Sequence, residues 1–520
     1  MDDPTPDSGL AAAGAKPLVV GAKGHPPAIW FFFWGEFAER SSYYGMRAVL
    51  MLFITQALRI SATDAGPAYS AFKMACYFLP LAGGFIADRW LGRYWTIVGF
   101  SVPYVAGQFL LAASGQAQQT MFGMPADQVM LFGSLILLAC GSGVIKPNIS
   151  TLMGQTYDQK RPNQERLRSS AFLWFYLSVN VGALISQLAL PEIRNRYILS
   201  HVTPEVRVLA EAAAQRGEDI VEFAPNDVVR AAYSVAFQFP AWLMVGALAV
   251  FAIGKPSYAV ERVERHELTP EQRRLQWQTL GRLFGIFALV VLFWFGYEHN
   301  DTLWILFTRD YVDLRLPFVE KTITPDQLQF LNALFVIILI PVFNFVFAYY
   351  DPDMRIFTPM RKVLAGFVLT AAAVGIMSVA GYLVQGHTEY VMRGDASVEV
   401  STVKVSVWWP AMAYVVLTFG EVLLYGTMLD IAYAAAPKSM KSFVTACFLV
   451  TNAIANFLNM GWTKFYGGSL IDPIEKRGSL MPGEFFGITA GVVLFAAVAF
   501  IFIGKRFERS HADAAAAGIT

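Results

Sequence analysis

A short charged turn at residues 84–93, Gly-Phe-Ile-Ala-Asp-Arg-Trp-Leu-Gly-Arg, separates two long apolar stretches of the sequence. A helix needs roughly 20 mostly apolar residues to cross a membrane. The stretches that begin near Ala65 and near Tyr94 are both long enough. Because a short connection makes consecutive helices antiparallel neighbours, this part of the sequence predicts two adjacent membrane-spanning helices.

The same pattern repeats along the whole chain and divides it into two halves. Twelve apolar stretches of sufficient length are present, and the polar segment 255–279 separates the first six from the last six. We predict an all-α membrane protein in which residues 28–254 and 280–505 form two six-helix bundles. The twelve transmembrane helices are expected to begin near Ala28, Ala65, Tyr94, Gln128, Ser169, Ala231, Leu280, Gln327, Val363, Val407, Phe443 and Phe485.

The overall composition agrees with a membrane protein and excludes several other classes. Of the 520 residues, 55% are hydrophobic and only 15% are charged, which is too apolar for a soluble enzyme of this size. A formal net charge of +1 gives no basic surface for nucleic acid. Because Cys76, Cys140 and Cys447 all lie in apolar runs, we expect neither a disulfide framework nor a cysteine-based metal site.

The segments outside the spans predict the orientation of the chain. More Lys and Arg residues fall in the loops on the side of the N-terminus than in the opposite loops, which places both termini in the cytoplasm. Residues 1–27 lack the features of a signal peptide, and we expect them to form a disordered cytoplasmic tail. Residues 506–520 would form a second tail, 255–279 a cytoplasmic linker, and 191–230 a small helical insertion on the outer side.

Ionisable side chains occur inside the first predicted span, where a charge at the bilayer centre costs roughly 2.5–3.5 kcal/mol on insertion scales. Glu36, Arg40 and Arg47 recur at steps that place them on one helix face, and Glu39 lies on an adjoining face. A self-compensated Glu36–Arg40 pair would only fix the position of the helix. Such a pair would leave Arg47 without a partner. The row of charged residues on this helix face therefore indicates a polar path or a partner on another span.

Three further spans contain charged residues. Lys146 lies among small residues and precedes Pro147 in the fourth span, as expected at a cavity lining, although a lysine can also extend to the membrane surface. Glu421 lies in the middle of the tenth span. In an alternative interpretation, Glu298 to Asp301 lie in water at the outer end of the seventh helix. A buried carboxylate whose cationic partner can leave acts as a proton switch.

Several motifs together resemble those of a known family. The turn at 84–93 resembles the Gly-xxx-Asp-Arg-xx-Gly-Arg loop of the major facilitator superfamily. Residues 36–45, Glu-Phe-Ala-Glu-Arg-Ser-Ser-Tyr-Tyr-Gly, resemble the ExxERFxYYG motif of the proton-dependent oligopeptide transporter (POT) family. Residues 143–148, 175–182 and 420–423 match further parts of the family pattern in the same order, so the resemblance extends over nearly the whole chain.

The resemblance implies that the two halves bind opposite ends of a peptide. Members of the family import di- and tripeptides together with protons by alternating access and need no cofactor. Arg47 and Lys146 would bind the peptide carboxylate, and Glu421 would bind the terminal ammonium. The other peptide-binding residues implied by the resemblance are Tyr44, Tyr77, Asn180, Trp294 and Asn332.

The resemblance also implies a group of residues that couples transport to protons. Glu298 would be the protonatable carboxylate, held in an ion pair with Arg47 that opens when Glu298 takes up a proton. Since the released Arg47 could then meet the peptide carboxylate, proton binding and peptide binding would be linked. A second coupling cluster would consist of Glu36, Glu39 and Arg40, close to Lys146.

Ser41, His299, Cys447 and the pair Tyr425-Gly426 depart from the family pattern, and Lys73 is an unexpected addition. Cys447 stands where many bacterial members carry a pocket tryptophan, which predicts a roomier pocket. Lys73 is not expected at all, and it could lie beside Glu298, beside Glu36 or at a helix interface. His299 replaces the usual glutamine and would either share in proton handling or face water on the outer side.

Other functions remain open from the sequence alone. A transporter of nitrate or another small anion would have the same fold, but its substrate would have no ammonium for Glu421 to bind. A peptide-sensing transceptor would keep the same site. None of the six histidines has an HExxH-type spacing, so we predict no enzyme and no metal site.

We expect a monomeric, multi-pass protein of the inner cell membrane whose partners are peptides, protons and lipids, not nucleic acid.

Overall fold

The computed structural model describes residues 24–260, 270–316, 322–351, 356–393, 396–435 and 441–516. Within these ranges the chain forms fourteen α-helices, and twelve of them have 21 residues or more. The helices are α1 (Ala28–Leu52), α2 (Ala62–Ile86), α3 (Gly92–Ser114), α4 (Ala126–Lys160), α5 (Glu165–His201), α6 (Pro204–Gln215), α7 (Asn226–Ile253), α8 (Pro270–Tyr297), α9 (Leu303–Tyr311), α10 (Phe330–Tyr350), α11 (Pro359–Val384), α12 (Trp408–Ala435), α13 (Lys441–Trp462) and α14 (Pro482–Ala516).

The twelve long helices confirm the predicted all-α membrane fold. In the described residues, nine helical stretches are long and apolar enough to cross a membrane, and one of these, Ala62–Ser114, contains both α2 and α3. In the first half α1 packs against α5 and α7, and α3 packs against α4. In the second half α11 packs against α12 and α14, and α8 packs against α13 and α14. These contacts produce two six-helix bundles.

Successive spans run in opposite directions, so the connections lie alternately on two faces. We call the face where α1 begins the near face and the opposite face, which holds the α1–α2 connection, the far face. The charged turn at 84–93 lies on the near face, where residues 87–91 form one π-helical turn between α2 and α3. On the far face an antiparallel hairpin, Thr388–Arg393 with Ala396–Ser401, connects α11 to α12.

The seventh span has a break in its middle. Helix α8 ends at Tyr297, residues Glu298–Asp301 form a 3-10 turn, and α9 continues the span to Tyr311. The membrane-length stretch therefore runs over Leu283–Tyr311. The interpretation that Glu298 to Asp301 lie in water at a helix end is wrong, because the buried apolar helix α9 follows them.

The segment 191–230, predicted as an outer insertion, connects the two halves on the far face. Helix α5 continues through Pro191 to His201, and α6 and a short 3-10 helix at Ile220–Phe223 precede α7. The hydroxyl of Thr322 in the second half donates to the carbonyl of Ala214 at 2.6 Å. The backbone N–H of Leu314 donates to the carbonyl of Gly217 at 3.1 Å. The insertion is thus part of the contact between the halves.

Further polar contacts join the halves at the far face. Arg194 on α5 binds Asp326, which precedes α10, with 2.6 Å between Nη1 and Oδ2, and both side chains are fully buried. The side-chain amide of Gln329 donates to the carbonyl of Ala48 at 3.1 Å. A buried ion pair loses several kcal/mol when one partner is removed, so these contacts hold the two bundles together on this side.

The segments between and after the bundles differ in part from the predicted boundaries. Helix α8 begins at Pro270, inside the predicted linker 255–279, and runs without interruption into the seventh span. Helix α14 extends to Ala516, through most of the predicted tail 506–520. The predicted tail 1–27 lies outside the described residues up to residue 23.

Candidate functional site

A cavity of about 410 Å³ lies between the two bundles. Helices α1, α2, α4 and α5 line it on one side, and α8, α10, α12 and α13 line it on the other. Its volume is in the range of small-molecule binding sites, roughly 300–1,000 Å³. The structure brings eleven of the predicted site residues to this lining: Glu36, Arg40, Tyr44, Arg47, Tyr77, Lys146, Asn180, Trp294, Glu298, Asn332 and Glu421.

The remaining predicted residue, Glu39, lies beside the cavity and binds Arg40. Nη2 of Arg40 donates to Oε1 of Glu39 at 2.7 Å, and Nε of Arg40 lies 3.3 Å from Oε1 of Glu36. All three side chains are buried. The Glu36–Arg40 pair considered from the sequence is therefore present, but Arg40 has two carboxylate partners. The cluster carries one excess negative charge, so it is not self-compensated.

Lys146 supplies a positive charge to the cavity. Its side chain is exposed to the cavity, and its Nζ lies 5.5 Å from the ring centroid of Tyr77, a distance that permits a cation–π contact. The ammonium is thus directed into the cavity and not toward the membrane surface. Lys146 lies on the same half as the negative Glu36 cluster, so this half presents charges of both signs to the cavity.

Four charged side chains from both halves form what we call the charge cluster: Arg47, Lys73, Glu298 and Asp301. The ammonium of Lys73 contacts the carboxylate of Glu298 and lies 2.7 Å from Oδ2 of Asp301. The same Oδ2 atom lies 3.2 Å from Nε of Arg47. The predicted Glu298–Arg47 pair is therefore wrong, since Lys73 has inserted as the partner of Glu298 and Arg47 pairs with Asp301.

Three asparagines on α13 extend this polar network and were not among the predicted site residues. Nδ2 of Asn452 donates to Oε1 of Glu298 at 2.7 Å. Asn456 donates to Oδ1 of Asn452 at 2.8 Å, and Asn459 donates to the carbonyl of Phe295 at 3.2 Å. Their spacing of four and three residues places them on one helix face, which was a signal available in the sequence.

Glu421 on α12 differs from Glu298 and Asp301, because its partners are neutral groups. Nδ2 of Asn332 donates to its Oε2 at 2.7 Å, and the same amide lies 3.1 Å from the hydroxyl of Thr418. Among the described residues, no lysine or arginine nitrogen forms an ion pair with Glu421. A carboxylate that is oriented by amides but lacks a cation is suited to bind a cationic group of a ligand.

Two of the departures from the family pattern lie outside the cavity lining. His299 is only 1% exposed, and its ring packs edge-on against Phe295 and Phe485, with ring centroids 5.9 and 5.3 Å apart. The interpretation of His299 as a water-facing residue is therefore wrong. Cys447 does not contribute to the lining as described, whereas Phe448 and Leu449 do.

The cavity contains no candidate metal site within the described ranges, because no group of three or more His, Cys, Asp or Glu side chains is arranged to hold an ion. Its chemistry is that of charge recognition. The first half offers Arg47 and Lys146, and the second half offers Glu421. The aromatic rings of Tyr44, Tyr77 and Trp294 supply apolar surface between these charges.

Comparisons with known proteins agree on one family. The POT family profile matches residues 94–275 and 261–469. Human solute carrier family 15 member 1 is 28% identical over 399 residues, which cover 68% of this chain and 52% of that protein. Rabbit (Oryctolagus cuniculus) solute carrier family 15 member 2 is 30% identical over 71% of this chain and 51% of that protein. The chain thus spans about half the length of the curated relatives it matches.

Solved structures show the same fold. The crystal structure of the POT family transporter PepTSo matches with a TM-score of 0.72 at 24% identity and covers 94% of this chain and 99% of that chain. A POT family transporter in complex with a thioalcohol-conjugated peptide matches with a TM-score of 0.68 at 20% identity, covering 93% and 97%. The fold is that implied by the resemblance to the major facilitator superfamily. Because the family profile covers well over half of the sequence, the chain belongs to the POT family.

Proposed function

We propose that this protein is a proton-coupled symporter that moves di- and tripeptides across the membrane by alternating access. The observation that carries the proposal is the distribution of charge in the cavity, where Arg47 and Lys146 belong to one half and Glu421 to the other. A zwitterionic peptide needs a cation and an anion that are held apart. A ligand bound in this way links the two halves, as alternating access requires.

The neutral residues of the cavity would bind the rest of the peptide. Asn332 orients Glu421 through the 2.7 Å hydrogen bond, and Asn180 lines the same space from α5. Tyr44, Tyr77 and Trp294 would contact peptide side chains and backbone. Structural relatives in the family have been solved with 5-aminolevulinic acid and with a conjugated peptide, and the former has an amino group and a carboxylate at opposite ends.

Coupling to protons would use the two buried charge groups of the cavity. Glu36, Glu39 and Arg40 carry one excess negative charge near Lys146, and Glu298 belongs to the charge cluster that joins the halves. A proton on a carboxylate of either group would leave a cation free for the peptide. We propose that the electrochemical proton gradient supplies the driving force, without a cofactor.

The far face is closed, and the charges of the loops support an assignment of sides. The buried Arg194–Asp326 pair and the contacts of the insertion seal the far face. The excess of Lys and Arg in the near-face loops assigns that face to the cytoplasm. We infer that both termini are cytoplasmic, that the protein lies in the inner cell membrane, and that it works as a monomer.

The proposal is tested with purified protein in liposomes. Labelled dialanine should accumulate when an inward proton gradient is imposed and should only equilibrate when a protonophore removes the gradient. Empty liposomes provide the background. Absence of both uptake and dialanine binding would refute the peptide assignment, and uptake of nitrate in its place would assign a small anion as the substrate.

A further inference from the structure

The charge cluster contains two residues, Lys73 and Asp301, to which the family motifs give no role. Asp301 is fully buried, and its Oδ2 atom contacts both cations of the cluster, at 2.7 Å from Lys73 Nζ and 3.2 Å from Arg47 Nε. Glu298 contacts Lys73 and accepts a hydrogen bond from Asn452. Asp301, and not Glu298, is thus the carboxylate that holds Arg47.

The cluster balances two cations with two carboxylates. Lys73, Glu298 and Asp301 are at most 3% exposed, whereas the Arg47 side chain is 14% exposed and lines the cavity. An uncompensated charge in a buried position is strongly unfavourable. Any change of protonation at one carboxylate must therefore be matched by a new partner for the cation that it releases.

The two carboxylates differ in which cation they release. If Glu298 took up a proton, Asp301 would still hold both Lys73 and Arg47 through one oxygen. If Asp301 took up a proton, Glu298 would still neutralise Lys73, and only Arg47 would lose its partner. Both cations line the cavity, but the Arg47 side chain is 14% exposed and that of Lys73 only 2%, so a ligand in the cavity can supply the new partner of Arg47.

We propose that protonation of Asp301 releases Arg47 to the peptide carboxylate, while Glu298 stays ionised as the counter-ion of Lys73. This inference rests on the proposed function as a peptide symporter. One proton moves from water to Asp301, the Asp301–Arg47 ion pair breaks, and an ion pair between Arg47 and the peptide carboxylate forms. Protonation leaves the cluster with one positive charge, and the peptide carboxylate neutralises it again, so one proton accompanies each peptide carboxylate.

The groups around Asp301 agree with this assignment. Helices α1 and α2 present Arg47, Tyr69 and Lys73 to it, and α12 presents Tyr414, whose hydroxyl donates to the neighbouring carbonyl of Asn300. The other titratable groups on its own 3-10 segment are Glu298 and His299. The His299 ring nitrogens have no hydrogen-bond partner among the described residues, and its ring faces Phe295 and Phe485. The carboxylates are therefore the proton acceptors of this group.

The test is the pH dependence of dialanine affinity, measured by calorimetry on the purified full chain. The wild type should bind dialanine about tenfold more tightly at low pH than at high pH, since coupling between two ligands is commonly of this size. Asp301→Asn frees Arg47 permanently, and we expect its affinity to change less than about twofold over the same range. Asp301→Glu, which keeps the carboxylate, should restore the dependence.

Glu298→Gln is the matched control, because it removes a carboxylate from the same 3-10 turn. In this variant Asp301 must balance both cations. The dialanine affinity of the Glu298→Gln protein should therefore still depend on pH, with the change displaced to lower pH. If Asp301→Asn fails to fold, Lys73→Met combined with Asp301→Asn removes one charge of each sign. Glu298 should then be the counter-ion of Arg47. The pH dependence of dialanine affinity should disappear only after Glu298→Gln is added to this double variant.

The outcomes separate this inference from the proposed function. A wild-type protein that binds no dialanine at any pH would refute peptide transport itself. A wild type with tenfold pH dependence that persists in Asp301→Asn, or that is lost in Glu298→Gln alone, would refute only the role of Asp301. In the Lys73→Met and Asp301→Asn background, a pH dependence insensitive to Glu298→Gln would refute it as well.

Discussion

At the scale of single residues, Glu421 offers the sharpest test of how the ligand is oriented. Its partners are amide and hydroxyl groups, so a glutamine fits the same space and keeps the hydrogen bond from Asn332. We expect Glu421→Gln to weaken dialanine binding by at least about tenfold, because a charge-assisted hydrogen bond contributes roughly 1.5–3 kcal/mol. Binding assays with dialanine and with its N-acetylated form measure the effect.

The N-acetylated peptide distinguishes charge recognition from a general loss of affinity. The wild type should prefer the free amine, and Glu421→Gln should lose that preference. Asp430→Asn is the matched control, because Asp430 is an exposed carboxylate on the same helix α12 and lies outside this cavity. A preference for the free amine that survives Glu421→Gln would contradict the assignment of the ammonium site.

Lys73 should be essential for the stability of the folded protein. Lys73→Met leaves Glu298 and Asp301 as two buried carboxylates with a single remaining cation, Arg47. Removal of one partner from a buried ion pair commonly costs about 3–5 kcal/mol, so we expect a clear decrease in thermal stability. Adding Asp301→Asn should recover much of this loss, because the charges balance again. Equal stability of the single variant and the wild type would contradict the role of Lys73 as a counter-ion.

The identities of the site residues were largely predictable, but their pairing was not. Spacing along one helix indicates which side chains share a face, and this placed Glu36, Arg40 and Arg47 together. The distance between side chains on different helices depends on how the helices pack. For this reason the sequence allowed several positions for Lys73, and Asp301 remained hidden as a polar residue near a predicted helix end.

At the scale of elements, the break in the seventh span positions the charge cluster. The 3-10 turn at Glu298–Asp301 leaves backbone carbonyls without helical partners, and the Tyr414 hydroxyl on α12 donates to one of them, on Asn300. Tyr414 is buried. A buried carbonyl that loses its donor costs roughly 1–3 kcal/mol, so we expect Tyr414→Phe to lower the thermal stability measurably.

Tyr349 is the control for Tyr414, because its hydroxyl is exposed and does not support the 3-10 turn. Tyr349→Phe on α10 removes the same hydroxyl from an exposed position, and we expect no measurable change in its melting temperature. Similar melting temperatures for Tyr414→Phe and Tyr349→Phe would mean that the 3-10 turn does not depend on this hydrogen bond.

The break also explains why the sequence allowed Glu298 to Asp301 to be interpreted as a helix end in water. The polar residues Glu298 to Asp301 interrupt the apolar pattern, and hydropathy alone assigns them to a helix end. The apolar sequence Leu303–Tyr311 after them belongs to the same span. In the other eleven spans, the predicted and observed helix starts lie within a few residues of each other. In the seventh span, α8 begins ten residues before the predicted start near Leu280.

At the scale of the whole molecule, the far-face insertion should regulate how readily that face opens. Gly217 has a φ angle of +76°, and a Cβ atom added there would lie 1.9 Å from Oδ1 of Asp313 in the second half. Gly217→Ala should therefore separate the insertion from the second half. We expect a several-fold increase in the rate at which an impermeant maleimide labels Ser150→Cys from the far side in a background without the native cysteines.

Gly386 provides a closely matched control for this experiment. Its φ angle is +80°, so alanine meets the same backbone strain of about 1–2 kcal/mol, but a Cβ atom there would have nothing within 4 Å. Gly386→Ala should leave the labelling rate close to that of the parent protein. Equal rates for the two alanine variants would show that the effect comes from backbone strain and not from the contact between halves.

The equal number of cations and carboxylates in the charge cluster determines the response of transport to voltage. With an empty cavity the cluster is neutral, so its return across the membrane carries no charge. In the proposed mechanism a loaded transporter carries a zwitterion and one proton, which adds one elementary charge. A potential of 100 mV contributes about 2.3 kcal/mol per charge, equivalent to an accumulation of about fiftyfold. A potassium diffusion potential, negative inside, should therefore concentrate dialanine in liposomes even at equal pH on both sides.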